Sequence, residues 1–130
     1  MPYDVLLHQE IFDPLGLTTI GYRPLERFDV SKIVPSEVDD YFRHNELRGY
    51  VHDMGAAMQN GVGGHAGLFS NAQDVAAIMQ MYLQGGRYNG IQLLHPETIN
   101  LFNTCYYCEK GNRRGVGFDK PDFDLKNSSS

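Results

Sequence analysis

Gly61-Val-Gly-Gly-His-Ala-Gly-Leu-Phe-Ser-Asn-Ala-Gln-Asp-Val-Ala-Ala-Ile-Met-Gln-Met-Tyr-Leu-Gln-Gly-Gly86 decides how the rest of the chain is read. Its first half is a tight glycine-rich loop and its second half one amphipathic helix. Ser70 and Gln73 stand at capping-box spacing, a hydroxyl for an orphan N–H and an amide that reaches back. Asp74 adds negative charge to the first turn, where the helix dipole favours it. Val75, Ile78, Met79, Tyr82 and Leu83 fall at i, i+3, i+4, i+7 and i+8, which predicts a single apolar stripe. Gly85-Gly86 supplies the left-handed stop.

Upstream, Val5, Leu6, Gln9 and Phe12 can share one face of a helix from Tyr3 to Phe12, which Asp13-Pro14 ends. Leu15-Gly16-Leu17 is a turn with two apolar anchors. Ile20 to Ile33 has no sustained period and reads as an irregular loop laid over a core. Ile33 to Glu37 reads as a short extended piece. Alternatively, Ser36 with Asp39 caps a helical turn through Phe42. Leu47 to Val51 is a second candidate strand, and Asp53 is placed to cap a helix ending near Met58.

Downstream, Asn89-Gly90 marks a hairpin tip before an extended Ile91 to Leu94, and Pro96 opens a helix through about Phe102. Val116 to Phe118 reads as the start of a strand. Asp119 to Ser130 reads as a tail, with residues 122–130 disordered. The expected class is therefore mainly α with short strands. Connections this long and irregular are unusual in a compact domain, and they suit a subdomain whose loops pack on something else.

The composition is that of an ordinary globular chain: 130 residues, 42% hydrophobic and 21% charged, with a net charge of −5. No basic cluster is present, which argues against a nucleic-acid or anionic-membrane surface. No apolar run approaches a membrane span. Met1-Pro-Tyr-Asp has neither the basic nor the apolar region of a signal peptide, so none is expected there. Cys105 and Cys108 form a Cys-x-x-Cys. No further ligand set completes a zinc site, and a redox pair would stand at a helix start after a strand. Two incidental thiols or a local disulfide is the simpler reading, so no metal and no cofactor is expected.

Gly61-Val-Gly63-Gly64-His65-Ala66 formally fits a dinucleotide fingerprint, but a helical segment precedes it and the next helix begins too late to meet a pyrophosphate. The glycines read instead as positions of close backbone packing. His52, Asp53 and His65 are the best acid–base candidates, since a histidine beside a carboxylate is a tuned base. The same residues equally suit a local hydrogen-bonded pair in which Asp53 caps a helix, and the lack of a nearby nucleophile favours that structural reading. His8, His44 and His95 read as surface residues. No Gly-x-Ser-x-Gly and no Ser-x-x-Lys is present, so no residue here is assigned as catalytic.

Asp13-Pro-Leu-Gly-Leu-Thr-Thr, Val51-His-Asp, the run from Gly63 to Ala76, and Asn112-Arg-Arg-Gly-Val-Gly-Phe-Asp-Lys-Pro together resemble the β-lactamase-related serine hydrolases. These are the class C β-lactamases, penicillin-binding proteins and esterases, some fused in bacteria behind a family 3 glycoside hydrolase. The resemblance implies that residues 1–121 are the helical middle segment of a β-lactamase/transpeptidase-like α+β domain. It implies an exported parent that acts through an acyl-enzyme on an amide or ester such as a β-lactam or cell-wall peptide.

The family's Ser-x-x-Lys and Tyr-x-Asn are missing, so the isolated chain is expected to be inactive and to need the remainder of the domain as partner. His65-Ala-Gly67 imitates the family's third motif without its hydroxyl. By the resemblance His52, Asp53 and His65 line the substrate cleft or fix its loop, and Gly55 stands where look-alikes often carry Asn. The competing expectation is a self-sufficient helical binding module with Gly61 to Phe69 as its recognition loop.

Overall fold

The computed structural model describes residues 1–120. It contains four α-helices and two two-stranded antiparallel sheets, a mixed α and β arrangement that is partly helical. The expected tail at residues 122–130 lies outside the described residues. One compact unit runs from Met1 to Gln80 and a second begins at Met81.

In the first unit, α1 (Tyr3–Leu7) passes into one π-helical turn (His8–Phe12) whose last carbonyl bond runs from the Asp13 N–H to His8. Phe12, Leu15 and Leu17 are all buried, with Gly16 between the anchors at φ 71°. The left-handed region there favours glycine because it has no Cβ to clash. Ile20 and Tyr22 continue the core through the loop, which is irregular apart from two short 3-10 turns. Arg27 braces the loop by donating to the Ile20 and Thr18 carbonyls. Gly21 and Phe69 exchange backbone hydrogen bonds of 3.0 and 2.9 Å, an isolated antiparallel bridge.

The alternative of a helical turn opened by Ser36 does not form. Pro35–Asp39 is a strand, β1, paired with β2 (Asn45–Arg48) through Val38 opposite Glu46 and Asp39 opposite Asn45. The pairing claims the backbone that a helix would need, and the second strand begins two residues earlier than expected. Asp39 instead holds the reversal after β1, accepting from the Tyr41 and Phe42 N–H groups at 3.2 and 2.7 Å. Leu47 of β2 is 2% exposed and is the largest side chain fully enclosed.

Helix α2 (Met54–Met58) buries Ala56 completely. Helix α3 (Ala72–Leu83) carries the central amphipathic pattern, but its cap is Asn71, one residue beyond Ser70. Asn71 Oδ1 accepts the Asp74 N–H at 2.8 Å, while the Ser70 hydroxyl donates to the Asn71 carbonyl. With Asn71 at the cap, Gln73 falls one position short of the reciprocal site, and in place of a reciprocal box the Asn71 N–H donates to Thr19 Oγ1 while Asp74 Oδ2 accepts from Thr19 and Ile20. Asn and Ser cap almost equally well, which leaves the choice to surrounding packing. The buried face is Asp74, Ala77 and Met81; Val75, Met79 and Leu83 are exposed.

In the second unit β3 (Arg87–Tyr88) and β4 (Ile91–Gln92) form the hairpin predicted from Asn89-Gly90, with φ of 47° and 82° at the tip. Helix α4 (Pro96–Asn103) starts on its proline, as expected. Tyr82 and Phe118 meet edge to face at 5.1 Å. Val116 to Phe118 is a bend rather than a strand: Gly115 bonds back to the Phe118 carbonyl, and the Val116 N–H is taken by Phe102. Cys105 and Cys108 are joined in a disulfide. No helix among the described residues is long and apolar enough to cross a membrane.

Candidate functional site

Asp53 is the N-cap of α2, and its Oδ1 accepts the Ala56 N–H at 2.7 Å. The same oxygen lies 2.9 Å from His65 Nε2 across the glycine-rich loop. A carboxylate that caps a helix thus also grips the loop before the next one. The Ala56 N–H first, and the His65 ring second, hold the Asp53 carboxyl below the usual carboxylate range. Being ionised, Asp53 can only accept, so the hydrogen in this contact belongs to His65 Nε2.

Two glycines make room for the ring. A Cβ at Gly55 would lie 3.2 Å from Asp53 Oδ1 and 3.5 Å from His65 Nε2, and one at Gly63 would lie 3.2 Å from His65 Cε1. The loop is pinned at three further points. Tyr22 donates its hydroxyl to the Gly63 carbonyl at 2.8 Å, and the Gly63 N–H donates to Ala66 at 3.2 Å. Gly67, at φ 115°, passes so close to the Gly61 carbonyl that a Cβ would collide with it.

Behind Asp53, Arg43 ties the incoming backbone. Its Nε donates to Asp39 at 2.8 Å, Nη1 to the Val51 carbonyl at 2.6 Å and Nη2 to the His52 carbonyl at 2.7 Å. Arg43, joined by the Phe42 N–H, holds the Asp39 carboxyl down at about 2. His52 enters the site through that backbone bond, and its exposed side chain makes no hydrogen bond to the Asp53–His65 pair among the described residues. Asp53 and His65 keep substantial solvent access, with side chains 38% and 56% exposed.

Of the expected trio, then, two residues are brought together by side chains and the third by its main chain. Arg43 and Tyr22 were missed by sequence reasoning, because nothing in their spacing announces contacts with residues eight to forty-one positions away, and Asp39 was read only as the partner of Ser36 in a helical turn. Among the described residues no group of three or more histidine, cysteine or acidic side chains gathers as a metal would need.

A separate cavity of about 490 Å³ opens in the same unit, lined by Arg23, Phe42, Tyr50, Val51, Met58 and Phe69 among others. Arg23 pairs with Asp4 and Glu26, while its buried Nε has no hydrogen-bond partner among the described residues. Neither Asp53 nor His65 lines this cavity.

The chain is 38% identical over 115 residues to an Escherichia coli K12 protein named "Putative D-alanyl-D-alanine carboxypeptidase", covering 79% of this chain and 26% of that protein. It is likewise 38% identical over 113 residues to a Bacillus subtilis protein named N-acetylmuramyl-L-alanine amidase, covering 78% and 26% respectively. A Salmonella agona protein that shares the first name is 36% identical over 114 residues, with 78% and 26% covered. The chain thus spans about a quarter of the length of the curated relatives it matches. No family model and no solved structure matches it.

Proposed function

We propose that this chain is the middle segment of a cell-wall peptide hydrolase of the β-lactamase-related serine type, whose nucleophile lies outside these 130 residues. The observation that carries the reading is the similarity to proteins named for cell-wall cleavage, which runs through nearly four-fifths of this chain but only a quarter of theirs. The exposed apolar surface supports it. Among the described residues twenty-three large apolar side chains are exposed against ten buried apolar residues, as a segment cut from its packing partner would leave them. On this reading the glycine-rich loop with Asp53 and His65 flanks the substrate.

A serine acyl-transfer cycle needs an activated hydroxyl, a base and donors for the oxyanion. The first of these would come from the remainder of the domain, so the isolated chain is inactive on amides and esters. Cell-wall peptide lies outside the cytoplasm, and the Cys105–Cys108 disulfide suits an oxidising compartment of that kind.

The test is intact mass after incubation with a fluorophosphonate and with a penicillin, on the 130-residue chain and on a polypeptide extended at both ends. The expected result is an adduct on the extended protein alone. An adduct on the short chain would place the nucleophile among its own serines. Failure of both to label would make the parent a binding protein on a hydrolase frame.

A further inference from the structure

We propose that His65 Nδ1 is a proton-accepting site for a ligand that presents an ammonium or hydroxyl hydrogen, with Asp53 as its positioning residue. A neutral imidazole carries its hydrogen on one nitrogen and its lone pair on the other. Asp53 Oδ1 takes the Nε2 hydrogen at 2.9 Å, which leaves the lone pair on Nδ1. No hydrogen bond to Nδ1 is made among the described residues. The hydrogen bond to the Asp53 carboxylate favours the orientation with Nε2 inward, and Gly55 and Gly63, which carry no Cβ, leave room for that edge of the ring. Asp53 is itself immobilised as the cap of α2, and its backbone is tied through His52 to Arg43.

A surface latch would need only the Asp53–His65 contact. The structure adds a slot hollowed by two glycines, a ring left 56% exposed, and a free lone pair. Those three features together describe an oriented base. The step is one proton transfer. The bond between the ligand's heavy atom and its hydrogen breaks, its electron pair stays on the ligand, and an Nδ1–H bond forms. The resulting imidazolium is compensated by the Asp53 carboxylate, with His52 the other titratable side chain acting on that carboxylate. This deepens the function proposed above and rests on it only for the ligand class: a cell-wall glycopeptide offers sugar hydroxyls and the ammonium of any amine left unacylated, and D-alanyl-D-alanine carries such an ammonium.

The test is nitrogen NMR of the 15N-labelled 130-residue chain, reading both ring nitrogens of His65 before and after addition of D-alanyl-D-alanine. In the free protein the Nε2–H form is expected to dominate. Asp53→Ser, which keeps a capping hydroxyl but removes the carboxylate, lowers that excess about tenfold or more. The dipeptide is expected to move the Nδ1 resonance and to move Nε2 far less. A dominant Nδ1–H form, or an Nδ1 resonance unmoved by the dipeptide, overturns the proposal and leaves a structural latch. Since this readout needs no covalent label, the two readings fail separately. Labelling of the extended protein with an unmoved Nδ1 keeps the hydrolase and removes the base; a moved Nδ1 without labelling does the reverse.

Discussion

Asp74 is 8% exposed and still ionised, because its Oδ2 accepts from the Thr19 N–H at 2.7 Å, the Thr19 hydroxyl at 2.7 Å and the Ile20 N–H at 3.1 Å. Burial pushes its carboxyl up, but the Thr19 hydroxyl and the Thr19, Ile20 and Thr18 N–H groups outweigh it and leave the group below its ordinary value. Asp74→Ala would strand three donors in a site with little water. It should lower stability by about 3 kcal/mol, read as a fall in the urea midpoint. Sequence alone places Asp74 in the first turn and explains it by the helix dipole. Its partners lie 55 residues upstream, and nothing local points to them. The Asp53–His65 pair was more legible. Both residues stand out by type, and only their contact, made across twelve residues of glycine-rich chain, needed the fold.

Helix α3 separates two properties that periodicity merges. Its limits are readable from the Asn71 region and Gly85-Gly86, and its apolar stripe is where the spacing predicts. The face that the described structure buries is rotated from it, onto Asp74, Ala77 and Met81. A hydrogen-bonded carboxylate and a small alanine permit close approach, whereas Val75 and Met79 remain 47% and 43% exposed and Leu83 88%. Periodicity reports which side is apolar, and only packing reports which side is covered. Val75→Lys with Met79→Lys should therefore change this chain's stability by no more than about 0.5 kcal/mol and reduce its binding of a hydrophobic dye. In the extended polypeptide the same pair should cost about 2–5 kcal/mol, because those side chains would then be interior. Equal, small effects in both proteins would show that nothing covers the helix. The β1–β2 hairpin was half legible: its extended residues suggested strands, but the reversal is held by Asp39 and by Arg43, whose reach to the Val51 and His52 carbonyls no spacing rule singles out.

At the scale of the whole molecule, acid should be the sensitive axis. Asp39 sits at about 2, and Asp29, Asp53 and Asp74 are also held below ordinary carboxylates. A carboxylate depressed by folding contributes its full stabilisation above the unfolded value, near 3.9, and loses it as pH falls through the folded value. Far-UV circular dichroism against pH should show a plateau down to about pH 4 and a loss running toward pH 2. A midpoint above pH 5 would mean that these carboxylates do not govern it. The abundance of irregular chain was legible from composition and spacing. The routing was not, because it depends on the bridge between Gly21 and Phe69. That bridge also sets a timescale. Everything from Tyr22 to Leu68 must be drawn into a loop before Asp74 can find its donors, so the rate of folding follows this distant meeting more than either hairpin. Loop closure grows by only about 0.6 kcal/mol for each doubling of length. The β1–β2 hairpin, enclosed within that loop, can therefore be lengthened with little thermodynamic effect while the search for Gly21 and Phe69 still sets the pace.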